Sequence, residues 1–286
     1  MPAFFARLLV GGIFTLSLST GAAQSPWVRS RAGFFVQAAW QTIPAYTQLH
    51  GPAGSDIELE RAVTERSLQF YGEYGLSRNT TAVLTLPLVF HQRGDSNPDS
   101  PNFFAREEPG TLAGPGNIQL ALRHQFKNGR IAWSGTLRVG LPVSKYQPTT
   151  GLRTGLNAFV ITPILSAGMG FRKAYCFAYA DYGWRSHRYS AFAQTGLEAG
   201  YHLGACWLIG FTEFTGSLKN GSQSLPAQDI LTGLYVNDQQ WLSVGFKTLI
   251  AMHRFWGLSA SVTGAAWGQY VPEKPAFSLG AYFKWD

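Results

Sequence analysis

The chain has 286 residues, 14% of them charged, with a formal net charge of +7 and 32 glycines. A soluble domain carries about 25% charged residues, so the composition argues against an ordinary soluble fold, and the scattered Lys and Arg argue against nucleic-acid binding. The mean hydropathy of −0.04 is too low for a helical membrane protein but suits a membrane β-barrel, whose strands alternate apolar and polar residues.

Residues 1–23 predict a secretory signal peptide. Arg7 precedes an apolar stretch over residues 8–18, and Gly21, Ala22 and Ala23 follow it. This order of a basic residue, an apolar core and small residues is typical of a cleavable signal. The apolar core is about half of the ~20 residues that a spanning helix needs. We therefore expect cleavage after Ala23, which would leave residues 24–286 as the mature domain.

Strict alternation over long segments predicts the strands of that domain. In residues 80–91, Leu84 and Leu88 share one face, and Thr81 and Thr85 share the other. Several segments alternate over 10 to 14 residues, about twice the usual strand length of soluble sheets, so a barrel is favoured over a soluble sandwich. Twelve strands are predicted, at 33–41, 66–76, 80–91, 116–126, 130–141, 156–169, 174–184, 189–203, 205–215, 239–252, 255–266 and 276–285.

An even number of antiparallel strands returns both termini to the periplasmic rim of an outer-membrane barrel. Short connections alternate with long ones, which are predicted at 42–64, 92–114, 143–154 and 217–238. The extended stretch 228–237 is assigned to a loop, although it could change the strand count. Aromatic residues near the strand ends predict the two interfacial girdles: Phe126, Trp133, Trp184, Tyr201, Trp241, Trp256 and Trp285.

The last strand carries a pattern that resembles the insertion signal of bacterial outer-membrane barrels. A polar residue, a glycine two positions later, and aromatics five and seven positions later are Ser278, Gly280, Phe283 and Trp285. Asp286 departs from the usual pattern, which ends on the aromatic residue. The resemblance implies recognition by the barrel-insertion machinery. It also implies a final location in the cell outer membrane, in contact with lipid and lipopolysaccharide.

Two further motifs resemble a family of outer-membrane barrels linked to aromatic catabolism, the meta-pathway phenol-degradation proteins. One is Gly114-Pro115-Gly116-Asn117-Ile118, which opens a strand after a long loop, and the other runs from Tyr71 to Leu76. Family members commonly have Asp at the position of Asn117. The resemblance implies a channel or facilitator for small organic solutes, with aromatic compounds among the candidates.

Alternation predicts which charged side chains point into the lumen. These are Glu73, Arg123, Arg138, Glu198, Glu213 and Lys247. Two interpretations stay open: a network of ion pairs that fills and stiffens a small barrel, or a constriction that sets the selectivity of a pore. A barrel of about twelve strands lies between filled eight-stranded barrels and open porins, so size alone permits a narrow channel without requiring one.

Two alternatives to a channel remain. A structural or adhesive barrel would use its long loops to meet a partner. A lipid-ester hydrolase would need a Ser beside a His, and His187 and Ser190 are the nearest candidates. A metal site is not predicted, because the six His are dispersed, and no cofactor is expected. Cys176 and Cys206 fall on separated strands, which predicts two free thiols. The oligomeric state cannot be predicted from the sequence.

Overall fold

The protein folds as one closed antiparallel barrel of twelve long strands, seen in a computed structural model that describes residues 24–96 and 108–285. Closure comes from the last strand, which pairs with the first from Phe34–Trp285 to Thr42–Phe277. The strands are β1 (Phe34–His50), β2 (Asp56–Gly75), β3 (Thr80–Ser96), β4 (Ile118–Lys127), β5 (Ala132–Leu141), β6 (Val160–Gly170), β7 (Ala174–Arg185), β8 (Phe192–Leu203), β9 (Cys206–Ser217), β10 (Gln240–Ala251), β11 (Trp256–Gln269) and β12 (Ala276–Trp285).

Short elements decorate one rim of the barrel. Gly110–Pro115 pairs with β3, Val271–Pro272 pairs with the end of β1, and Tyr146–Gln147 forms a small hairpin with Leu152–Arg153. A 3-10 turn (Pro52–Gly54) joins β1 to β2, and a single helical turn, α1 (Ala227–Ile230), lies between β9 and β10. Across the residues that the structure describes, no helix is both long and apolar enough to cross a membrane.

The prediction of twelve strands is confirmed, and the stretch 228–237 lies in the connection between β9 and β10 rather than in the barrel wall. The predicted signal peptide (1–23), most of the predicted loop 92–114 and Asp286 lie outside the described residues. Cleavage after Ala23 therefore stays a prediction. Cys176 and Cys206 are free thiols, on β7 and β9.

Alternation sorts the side chains between the two faces of the wall. Leu84, Leu197 and Phe246 are 45%, 58% and 69% exposed on the outer face, whereas Thr85 is buried inside. The strands that alternate poorly in sequence, β6 and β9, follow the same rule. Their pattern is weak because interior positions also carry apolar residues, here Ile164, Ile209 and Phe211.

The predicted loop at 42–64 is wrong, because β1 and β2 continue as a hairpin to His50 and Asp56. Above the barrel, apolar residues of these two strands face inward and polar residues face outward, the reverse of the pattern that predicts a strand in the membrane. The inward positions of this hairpin carry apolar side chains that pack with Leu152, Leu234 and Ala276, and outward positions such as Gln48 and Glu58 are exposed. Outside a membrane, the outer face of a strand meets water, so polar residues belong there.

Two aromatic residues predicted to lie on the outer face lie inside. Alternation in the predicted strand 189–203 places Tyr189 on the outer face together with Leu197 and Tyr201, but the strand begins at Phe192 and Tyr189 is buried. The positive φ angles of His187 (57°) and Arg188 (63°) turn the chain inward just before it. Trp241 was assigned to a girdle, but it lines the lumen.

Candidate functional site in the barrel lumen

The structure places all six predicted lumen charges inside the barrel, on six different strands, and each is less than 5% exposed. Five of the six take part in ion pairs. Arg123 contacts Glu73 at 3.1 Å, Lys247 contacts Glu198 at 3.4 Å, and Arg138 contacts Asp181 at 3.5 Å. The sixth, Glu213, accepts a hydrogen bond of 2.6 Å from the hydroxyl of Tyr179.

Residues 24–33, the N-terminal segment, enter the lumen at the rim where the first strand begins and the last strand ends. Trp27 packs edge-on against Tyr175 and Phe177, with ring centroids 5.9 Å and 6.0 Å away. The backbone of the segment is held by the wall, because Gln125 Nε2 donates to the carbonyl of Pro26 at 3.0 Å and Arg123 Nη1 donates to that of Trp27 at 2.5 Å.

Glu73 joins this segment to two barrel strands. Its carboxylate accepts hydrogen bonds from Arg29 Nε at 2.8 Å, Arg123 Nη2 at 3.1 Å and the Tyr71 hydroxyl at 2.6 Å. The backbone N–H of Arg29 donates to Thr81 Oγ1 at 2.8 Å. The acid and both guanidinium groups are buried, so the triad fixes the segment through charge-assisted hydrogen bonds that water does not screen.

A cluster of buried apolar side chains fills the same half of the lumen. Phe35 stacks on Tyr282 at 5.5 Å, and Tyr175 stacks on Phe177 at 6.3 Å. The cluster also holds Tyr71, Val83, Ile164, Tyr179, Ile209 and Leu249. Tyrosine hydroxyls within it point to the lumen acids, as Tyr175 does to Glu198 at 2.8 Å. We call this layer, together with the N-terminal segment, the periplasmic plug.

A chamber lies beyond the periplasmic plug, with a cavity volume of about 120 Å³ and an opening to solvent. Most of its polar lining comes from barrel strands, and its apolar lining combines strand and loop residues. The polar group includes Gln69, Thr85, Gln119, Thr162, Gln194 and Thr215, and the apolar and aromatic group includes Pro87, Leu156, Val160, Phe192, Tyr235, Val236 and Trp241. The charged residues in the lining are Arg138 and Arg185.

Loop residues cover the chamber at the opposite rim. Asp229 of α1 pairs with Arg153 and accepts hydrogen bonds of 3.1 Å from the hydroxyl of Tyr146. Burial raises the pKa of the Asp229 carboxyl, and the Arg153 guanidinium opposes that rise. Gln239 Nε2 donates to the carbonyls of Gly233 and Tyr270 at 2.7 Å and 2.6 Å, so the connection between β9 and β10 folds back over the lumen as an outer cover.

The candidate hydrolase pair is not joined by a hydrogen bond in the described part of the chain. His187 Nδ1 lies 2.9 Å from Ser186 Oγ on the exposed turn. Ser190 is fully buried, and its Oγ accepts the backbone N–H of Gly221 at 3.0 Å. A serine nucleophile needs its hydroxyl beside a base, and here that hydroxyl serves to hold a loop.

One group of potential metal ligands forms among the described residues, although the sequence analysis predicted none. Atoms of His50, Asp56 and Glu273 lie within 4.8 Å of one another, at the tip of the β1–β2 hairpin. Structural zinc sites use four protein ligands, and calcium takes six or more oxygens. Three side chains at a partly exposed tip do not complete either set, so we assign no metal to them.

Solved structures of outer-membrane proteins share this fold. The fold is similar to the COG4313 outer membrane channel from Pseudomonas putida F1, with a TM-score of 0.70 and 11% identity over 92% of this chain and 99% of the other. It is also similar to the β-domain of the Bordetella autotransporter Brka, with a TM-score of 0.53 and 14% identity over 89% and 100% of the chains. The sequence matches no protein-family model, and no curated protein matches it.

The chain is thus an outer-membrane β-barrel, defined by twelve closed antiparallel strands, an apolar outer face and this structural likeness. Sequence reasoning missed three parts of its lumen. These are the N-terminal segment, the outer cover and Arg185. The signal for Arg185 was present: it shares its parity along β7 with the inward-facing Asp181, but the predicted strand ended one residue earlier, at 184.

Proposed function

We propose that this barrel is a channel that carries small organic solutes across the outer membrane by way of the chamber. The carrying observation is the chamber itself, because a lumen that served only as a filled scaffold would not contain a cavity with mixed polar and apolar walls that opens to solvent. Ligand sites in proteins have this character: they are concave and largely apolar, with a few polar groups that fix the orientation of the ligand.

The residues that narrow the two ends of the lumen define what kind of channel this is. In the described part of the chain, the periplasmic plug narrows one end and the outer cover narrows the other, so free diffusion of large hydrophilic solutes is not expected. A solute would enter between the loops, occupy the chamber, and leave after the N-terminal segment moves. The structurally similar protein from Pseudomonas putida F1 is described as an outer membrane channel, which supports the proposal.

Liposome swelling with refolded protein tests this function. We expect swelling with small organic solutes such as benzamide, and little with large sugars. Replacement of Gln119, which lines the chamber, by Trp should slow the swelling several-fold because it fills the cavity. Leu120→Trp is the matched control: it introduces the same ring at the next residue, on the outer face, where Leu120 is 48% exposed.

The two variants decide between a channel and a structural barrel. If liposomes with the unaltered protein swell no faster than protein-free liposomes with any solute, the channel proposal fails. If Gln119→Trp and Leu120→Trp slow swelling equally, the solute does not pass through the chamber. Planar-bilayer conductance of the same preparations provides an independent measurement of an open path.

A further inference from the structure

The charge of the chamber lining is one-sided. Among the described residues, Arg138 and Arg185 are the charged members of the lining, and none is Asp or Glu. Asp181, the partner of Arg138, lies deeper along β7 and outside this lining. Asp181 compensates the charge of Arg138, so the excess positive charge of the lining belongs to Arg185. Because a low-dielectric wall weakens screening, this charge makes the chamber favourable for an anion.

The two arginines stand on strands that flank β6. Arg138 on β5 lies opposite Thr162, and Arg185 on β7 lies opposite Val160, two residues further along the same strand. Two strand spacings and a two-residue offset separate their Cα atoms by roughly 11 Å. Both side chains point inward, so the two guanidinium groups lie on neighbouring parts of the same chamber wall, and Arg138 is held there by Asp181.

Arg185 is the less committed of the two. Its guanidinium lies over the ring of Phe192, 4.4 Å from the centroid, and its Nε is buried without a hydrogen-bond partner among the described residues. No carboxylate of the described chain lies within ion-pair distance of it; Asp238, which acts on it through space, is hydrogen-bonded by Ser217 at 2.7 Å. A guanidinium held on an aromatic ring keeps its in-plane donors free for a carboxylate.

The rest of the chamber supplies a place for an apolar body. Phe192 and Trp241 contribute aromatic surface to its lining, and Leu156, Val160 and Val236 contribute aliphatic surface. The hydroxyl of Thr85, which has no partner in the described structure, adds a neutral donor. A ligand that satisfies all of these groups carries one anionic end and one flat or aliphatic end.

We propose that the chamber recognises small amphipathic organic anions, such as aromatic carboxylates, in preference to neutral molecules of the same shape, with Arg185 as the specificity-determining residue. This inference rests on the proposed function and names its substrate class. Recognition uses charge-assisted hydrogen bonds from the guanidinium to the carboxylate, while the apolar wall holds the ring.

Calorimetric titration of benzoate and of benzamide into the refolded barrel, in a non-ionic detergent, tests the proposal. The two probes have the same shape and differ in charge. We expect benzoate to bind at least about tenfold more tightly, and Arg185→Gln to remove most of that preference while leaving benzamide unchanged, because a hydrogen bond to a charged group is lost. Arg185→Lys should keep part of the preference. Arg172→Gln, an exposed arginine in the turn between β6 and β7, is the matched control.

The titrations can overturn the inference in two ways. Equal binding of benzoate and benzamide, or no binding of either, overturns the inference. An equal loss of both in Arg185→Gln assigns Arg185 a structural role and overturns it as well. Tight benzoate binding in a protein that gives no swelling with any solute would refute the proposed channel and leave anion recognition in place, so the two failures are distinguishable.

Discussion

A protein without residues 24–29 should conduct ions several-fold better than the full barrel in planar bilayers. These residues include Trp27, which packs against Tyr175 and Phe177, and Arg29, which contacts Glu73. Their removal takes away the part of the periplasmic plug that precedes the barrel strands. The barrel should still fold, because its twelve strands begin at Phe34 and Glu73 keeps Arg123 as a partner.

A variant in which a Gly/Ser linker replaces residues 24–29 controls for length. It retains a chain of the same size at the rim but lacks the indole of Trp27 and the guanidinium of Arg29, so it should conduct nearly as well as the deletion. If both variants conduct no better than the full chain, the aromatic cluster alone closes the lumen, and movement of the N-terminal segment is not the step that opens it.

Replacement of Glu73 by Gln should destabilise the barrel by about 3–5 kcal/mol, the typical cost of removing one partner of a buried ion pair. The change leaves the guanidinium groups of Arg29 and Arg123 facing each other without the acid that joins them, and takes a charged acceptor from the Tyr71 hydroxyl. The measurement is the urea concentration at the midpoint of unfolding of the refolded protein. The folded fraction is read from the different gel mobilities of folded and unfolded barrels.

Two further variants make this result specific. Glu108→Gln removes an exposed acid beside the outer rim and should change the midpoint little. Arg29→Gln in the Glu73→Gln background should recover part of the loss, because it removes one of the two uncompensated cations. A Glu73→Gln barrel with an unchanged midpoint would mean that the triad contributes no net stability.

Sequence reasoning found the barrel wall because its signal is local. Thr85 and Leu84 differ in face by one position, and that rule repeats along each strand. The same rule failed for the upper part of the β1–β2 hairpin, where the wall is surrounded by water instead of lipid. Apolar residues such as Ile43 and Leu59 point inward there. The alternation persists, but the apolar positions face the interior and the polar positions face outward.

The lumen was harder to predict because its contacts join distant parts of the chain. Alternation assigned Arg123 and Glu73 to the interior, but Arg29 meets Glu73 across 44 positions, and Gln125 holds Pro26 across 99. No spacing rule connects such residues before the barrel is closed. Trp241 was misplaced for a related reason: an aromatic residue at a strand end suits a girdle as well as a cavity wall, and only its parity along β10 separates the two.

The exchange of apolar and polar residues between the two faces of the first hairpin also sets the position of the barrel along the membrane normal. Trp40 lies opposite Leu68 on the outer face, and the next outward row joins Thr42 and Arg66, with the exposed rings of Phe277 and Phe90 on either side. Aromatic and cationic side chains of this kind belong at the membrane interface, so this row marks it. A slip by one row would place Arg66 in lipid or draw Trp40 into water, at a cost of a few kcal/mol for each such residue. From that line to His50 the hairpin rises by about 20 Å at the tilt usual for barrels. The tip, with His50 and Asp56, therefore stands clear of the lipid headgroups and is presented to the cell exterior rather than to the membrane.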